Sequence, residues 1–276
     1  MKKFNKVAVI GLGLIGGSIA LCLKKQKLSR KIVGVSLHKD TLLFARKNKI
    51  VDDCSQNLDI IRGADLVILA TPIDVILKLA PQIAKLIPKD CLVTDVGSTK
   101  NKIVRKFSRI FPNFVGSHPL AGSEQRGIKN SQHSLFLKSL CIITPQKNTN
   151  QQSLNKISEL WRRVGADTII LSPLEHDKIL SYVSHLPHVV VFSLMKTVPV
   201  EYLKFAAGSL KDATRIAASP SNIWIDIFLS NKQDILKVIK SFSNNLQALK
   251  QAILRDDRSR IRKILESAKQ KRESLT

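Results

Sequence analysis

Short apolar runs rich in β-branched residues recur from the start of the chain to about Leu171, at residues 6–10, 32–35, 66–70, 92–95, 114–117, 140–144 and 168–171. Runs of this length between turn-forming residues predict strands. The intervening stretches carry helical spacing: residues 74–86 set Ile76, Leu79, Ala80 and Ile83 on one face, and a second pattern runs from Ile15 to Lys25. Strands alternating with such crossover helices predict an α/β architecture with a wound, largely parallel sheet.

Beyond Ser172 the strand pattern ceases and helical periodicity takes over to the end of the chain, so a change of architecture is expected near Pro173. The expected division is a first domain over residues 1–171 and an all-helical domain over residues 172–276. Within the latter, Ile235, Ile239, Phe242, Leu246, Leu249 and Ile253 alternate spacings of four and three, a narrow seam of coiled-coil type. Such a seam requires a partner helix, from this chain or from a second copy. A weaker stripe, Ile261, Ile264, Leu265 and Ala268, follows among charged residues.

The first apolar run leads directly into Gly11-Leu12-Gly13-Leu14-Ile15-Gly16 and then into a helix. Strand, G-x-G-x-x-G and helix together form the fingerprint of a Rossmann-type dinucleotide site: one glycine permits the tight turn, one lets the backbone approach a pyrophosphate, and one allows close helix packing. Gly11, Leu12, Gly13, Ile15 and Gly16 are therefore expected at the cofactor. The same glycines, with Gly17, argue that basic Met1-Lys2-Lys3 and the apolar stretch after it do not form a secretory signal. No later apolar run is expected to be long enough to span a bilayer, and a cytoplasmic protein is expected.

Composition changes the picture little. The 276 residues include 45 Lys and Arg against 21 Asp and Glu, a formal charge of +24, which raises nucleic acid as a partner. The basic residues are scattered singly or in pairs without interleaved aromatics, so they are read as a solvated surface that steers anions, and neither nucleic acid nor membrane is expected as a partner. Cys22, Cys54, Cys91 and Cys141 lie far apart without CxxC spacing, which predicts buried thiols and no metal site.

Selectivity for the cofactor should be set at the end of the second strand, where NAD-selective folds place a carboxylate on the ribose hydroxyls. Ser36 occupies that slot, followed by His38 and Lys39, with Arg46 further on. A serine that can donate to a 2′-phosphate, backed by Lys39, predicts NADP in preference to NAD. Thr71 and Pro72, closing the run at residues 66–70, are expected to line the nicotinamide half of the cleft.

Further along, Thr94-Asp95-Val96-Gly97-Ser98-Thr99-Lys100 and Gly116-Ser117-His118-Pro119-Leu120-Ala121-Gly122 each follow a predicted strand. With the glycine fingerprint, Ser184-His185-Leu186-Pro187-His188 and Lys211-Asp212-Ala213-Thr214-Arg215, they resemble the prephenate/arogenate dehydrogenase family along nearly the whole chain. The resemblance implies a dinucleotide domain followed by a helical substrate and dimerisation domain, hence a homodimer. It also implies an oxidative decarboxylation of a cyclohexadienyl carboxylate in tyrosine biosynthesis, with hydride passing to the nicotinamide.

On that resemblance His118 is the catalytic proton acceptor and Ser98 orients it, while Arg215 holds the substrate carboxylate with His188, Glu124 and Trp224 beside it. His185 is read as structural, and Trp224 as either pocket or core. Ser36 points to arogenate with NADP; Glu124 with the paired histidines looks like prephenate-using relatives, for which NAD is the alternative cofactor. A β-hydroxyacid dehydrogenase or imine reductase is the competing enzyme reading, without an account of His118 together with Arg215. A dinucleotide sensor or nucleic-acid-binding protein, supported by charge alone, is the reading without catalysis.

Overall fold

The computed structural model describes residues 3–121, 125 and 127–275. Eight strands, β1 (Phe4–Ile10), β2 (Ser29–Val35), β3 (Asp53–Ser55), β4 (Leu66–Leu69), β5 (Leu92–Asp95), β6 (Phe114–Pro119), β7 (Leu140–Thr144) and β8 (Asp167–Ile170), form one sheet in the order β3-β2-β1-β4-β5-β6-β7-β8. Neighbours run parallel except β6 and β7, which are antiparallel. The strand order reverses at β1, flanked by β2 and β4, so a crevice opens at the carboxyl ends of these strands.

The central strands are apolar throughout because both faces of the sheet are covered. On β1, Val7 and Val9 enter one core layer while Ala8 and Ile10 enter the other. Helices α1 (Leu14–Lys25), α2 (Lys39–Lys47) and α5 (Gln151–Arg163) contribute to the first layer, and α3 (Ile73–Ala84) and α4 (Asn101–Phe107) to the second. Strand β3 was not legible in the sequence, since three residues pairing only with β2 at the sheet edge show no periodicity.

Six helices follow: α6 (Pro173–Leu180), α7 (Leu186–Thr197), α8 (Gly208–Thr214), α9 (Ser221–Ser230), α10 (Lys232–Leu254) and α11 (Arg258–Glu273). Ser172 and Glu175 form a reciprocal capping box at the start of α6, with Pro173 in the first turn where its missing N–H costs nothing. Pro187 does not break the chain's course. The backbone widens into a π-helical turn at Ser181–His185 and continues into α7, which relieves the clash of the proline ring with the preceding turn.

The expectation that no later stretch reaches membrane-spanning length is corrected here: Pro173–Thr197 is one helical run of 25 residues, long and apolar enough to cross a bilayer by length and composition. Its polar residues His176, Asp177 and His185 are buried and hydrogen-bonded within the protein. Trp224 and Ile227 of α9 join the second core layer of the sheet, so the two parts of the chain share apolar packing. The seam on α10 is buried inside the chain at Ile235 and half-buried at Ile239 and Leu249, whereas Phe242, Leu246 and Ile253 are 37, 56 and 58% exposed.

Candidate active site

A cleft of about 950 Å³ lies at the carboxyl ends of β1, β2 and β4, lined by Gly11, Leu12, Gly13, Ser36, Leu37, His38, Thr41, Thr71, Pro72 and neighbouring residues. The three glycines divide the work as their spacing suggests. Gly11 has φ +100°, and a Cβ there would lie 2.5 Å from the Ala70 carbonyl oxygen. At Gly16 a Cβ would lie 1.9 Å from the Gly11 carbonyl oxygen, so the helix could not approach the turn. A Cβ on Gly13 would meet nothing within 4 Å, which leaves the backbone open to a ligand at the start of α1.

A dinucleotide fits these residues on a second ground: the buried Thr71 hydroxyl has no hydrogen-bond partner among the described residues and sits at the cleft wall. Buried hydroxyls are ordinarily paired, so this one is supplied for a ligand. Ser36 is buried at the end of β2, its hydroxyl accepting the His38 N–H at 3.3 Å. Ile15 packs against the first core layer instead of lining the cleft, and Lys39 is exposed and also not a lining residue. Arg46 is engaged by Asp53 and the Cys54 carbonyl. Arg62, which the sequence reading did not single out, does line the cleft, paired with Asp59.

Two strands along from β4, at the end of β6, stands His118, 8% exposed. Its Nδ1 lies 2.8 Å from Nε2 of His176, whose own Nδ1 lies 2.8 Å from a carboxylate oxygen of Asp177. That carboxylate also accepts the backbone N–H groups of Lys100 and Asn101 at 2.7 and 2.9 Å, which caps the start of α4. Asn231, between α9 and α10, donates to the Asp177 carbonyl and to Nδ1 of His185. Burial first, then the neighbouring His176 and the Lys100 ammonium, hold His118 well below the ordinary histidine value. Burial also lowers His176, against the opposing pull of Asp177.

Beneath His118, fully buried Lys100 pairs with fully buried Asp95 and donates to the Ser117 carbonyl at 2.8 Å. Asp95 also accepts the Gly97 N–H within its own turn and the Ser117 N–H at 3.4 Å, and the latter, with Lys100, ties the ends of β5 and β6 together beside the histidine. Such a pair contributes little net stability but fixes geometry. Ser98, half-buried in the turn after β5, makes no hydrogen bond to His118; the contact at Nδ1 belongs to His176. The imidazole at Nδ1 is brought by α6 and is not contained in the strand motifs.

On the helical side, His188 is half-buried, stacked on buried Trp224, and bonded through Nδ1 to the Ser184 carbonyl at 2.9 Å. Trp224 packs in the sheet's second core layer and carries the His188 ring on its face. His185 is 1% exposed and turned toward Asn231, as a structural histidine would be. Arg215 opens the short turn after α8, which packs on α7. Glu124 lies outside the described residues. Sequence reasoning missed His176, Asp177 and Asn231. The one available signal was the His-Asp pair just inside a strong helix start.

A wound sheet whose switch-point crevice is shaped by glycines, with a buried neutral imidazole two strands away, is the framework of a pyridine-nucleotide oxidoreductase. Residues 19–170 match the family described as prephenate dehydrogenase, nucleotide-binding domain, and residues 172–267 match prephenate dehydrogenase, dimerization domain. The chain belongs to the prephenate dehydrogenase family. It is 34% identical to the prephenate dehydrogenase of Bacillus subtilis (strain 168), over 98% of this chain and 76% of that protein. The crystal structure of Aquifex aeolicus prephenate dehydrogenase in complex with hydroxyphenyl propionate and NAD+ superimposes with a TM-score of 0.93 at 32% identity, covering 99% of this chain and 98% of that one. Synechocystis arogenate dehydrogenase matches with a TM-score of 0.85 at 25% identity, covering 98% and 100%.

Proposed function

We propose that the enzyme oxidatively decarboxylates a cyclohexadienyl carboxylate, arogenate in preference to prephenate, with NADP in preference to NAD. The observation that carries the chemistry is His118: a buried histidine held neutral at the end of β6, two strands from the cofactor crevice. The nicotinamide, when bound, supplies the hydride acceptor. His118 takes the proton of the C4 hydroxyl as the carbonyl forms, a task suited to an imidazole that is uncharged before the reaction. Departure of the C1 carboxylate as carbon dioxide leaves its electron pair to complete the aromatic ring. Arg215 holds the substrate carboxylate, since a guanidinium fork can give it two hydrogen bonds. His188 on its Trp224 platform, with Glu124, completes the substrate side, and Ser98 lies at the turn beside the reacting centre.

Support for NADP comes from Ser36, which puts a hydroxyl where a carboxylate would repel a 2′-phosphate, and from His38 and Arg62 at the same cleft wall. Lys39, just outside, adds positive charge nearby. NAD is the second reading, favoured by Asp59 on that wall and by the NAD+ named with the Aquifex aeolicus structure. The Ser36 setting, Gly34-Val35-Ser36, similarly supports arogenate. We take residues 1–171 as the dinucleotide domain and 172–276 as the substrate and dimerisation domain, with the exposed part of the α10 seam covered by a second copy. Steady-state assays with arogenate and prephenate, each with NADP and NAD, test the reading. The highest kcat/KM is expected for arogenate with NADP; turnover of neither acid would reject the reaction.

A further inference from the structure

We infer that His176 and Asp177 are positioning residues that fix His118 in the tautomer with its proton on Nδ1 and its bare nitrogen at Nε2. The inference rests on the proton-accepting role proposed for His118 and goes beyond it by naming what prepares that role. The argument is one of donors and acceptors. The Asp177 carboxylate receives three groups, the N–H of Lys100, the N–H of Asn101 and Nδ1 of His176. An ionised carboxylate only accepts, so Nδ1 of His176 carries a hydrogen. A neutral His176 then has an unprotonated Nε2, and at 2.8 Å that atom can only accept from His118. The shared hydrogen therefore belongs to Nδ1 of His118, and Nε2 is the nitrogen left to take a proton.

The same chain of bonds serves the charged state. When His118 gains a proton at Nε2, it becomes an imidazolium whose Nδ1–H still points at His176, with the Asp177 carboxylate behind it. No proton need pass along the chain, because the carboxylate stabilises the charge from a distance, as the buried acid does in Ser-His-Asp sites. Among the described residues, the other charged or titratable groups facing this cluster are Lys100 and Asp95 beneath it and His185 from the π-turn. The base sits on the sheet while its positioning pair sits on the first helix after it, so the base is prepared only when α6 is docked.

Four variants and one spectrum test this. Nitrogen-15 spectra of histidine-labelled enzyme should show His118 protonated at Nδ1 alone. His176→Phe, which removes the acceptor, should lower kcat about 100-fold while KM stays within about threefold; His176→Gln, whose carbonyl oxygen can accept the same hydrogen, should stay within about tenfold of the unmodified enzyme. Asp177→Asn should move the acidic limb of kcat/KM to lower pH, since the charge favouring protonation is gone. Because Asp177 also caps α4, the His176 pair carries the test if that variant does not fold. A proton found on Nε2 of His118, or a His176→Phe enzyme with unchanged kcat, overturns the inference. His118→Asn separates the two levels: full turnover in that variant rejects the base itself, whereas its loss beside an unaffected His176→Phe rejects only the positioning pair.

Discussion

The imidazole of His188 lies nearly flat on the indole of Trp224, with ring centroids 3.5 Å apart and planes inclined by 23°. Trp224 is itself packed in the sheet's second core layer, so this histidine is referenced to the same apolar body that carries the strand ends. The Ser184 carbonyl takes its Nδ1 hydrogen, which leaves Nε2 as the nitrogen with which it can meet a ligand.

Trp224→Leu keeps apolar bulk but removes the platform. We expect KM for the cyclohexadienyl acid to rise about tenfold, with kcat within about threefold, because binding is lost and the reacting groups are untouched. An unchanged KM would show that the stack is only core packing.

His118→Asn removes the base without removing a polar group of similar size. Turnover should fall by roughly 1000-fold, within the range that a positioned base contributes. Calorimetric titration should find NADP affinity unchanged, since the cleft residues are elsewhere.

The glycines allow a paired test. Gly13→Ala places a methyl in open space, so the melting temperature should hold while dinucleotide affinity drops. Gly16→Ala drives a methyl into the Gly11 carbonyl oxygen and should lower the melting temperature in the absence of cofactor as well. Equal melting temperatures for the two variants would contradict this division of roles.

Ser36→Asp should exchange cofactor preference. Unit charges 4 Å apart near a protein surface interact by about 4 kcal/mol, so the ratio of kcat/KM with NADP to that with NAD should fall by up to about 1000-fold. A ratio that does not move would place the 2′-position away from Ser36.

Burial pushes His185 down to about 4 from an ordinary 6.5. The unfolded chain therefore takes up a proton below pH 6.5 that the folded chain refuses until pH 4, so stability falls as pH drops through that window and is fully present above it. The displacement corresponds to about 3 kcal/mol for this one group. Denaturant midpoints between pH 7.5 and 4.5 should show the decline, and His185→Gln should flatten it. His118 and His176, depressed in the same direction, add to the slope.

Much of the fold was legible because its signals are local. Alternating strands and helices, the glycine turn and the shift to helices near Pro173 are written within windows of a few residues, and every observed strand except the short edge strand β3 falls on an expected run. The cleft residues Gly11, Leu12, Gly13, Ser36, Thr71 and Pro72 were found the same way, since the ends of parallel strands are where ligands bind. Ile15 and Lys39, expected at the cofactor, do not line the cleft, because the direction of a side chain just inside a helix depends on how that helix packs.

The amino-acid order by itself fixed where the chain turns, which runs are buried on both faces, and where a dinucleotide backbone can be approached, because each follows from steric freedom or hydrophobic period over short distances. Only the folded molecule decided what stands behind His118. Its partner lies 58 residues away, on a helix whose capping box reads locally as an ordinary surface start. The sequence records a histidine beside an aspartate; the docking of α6 on the sheet excludes water from them, and that exclusion leaves them bonded to each other and to His118 in the interior.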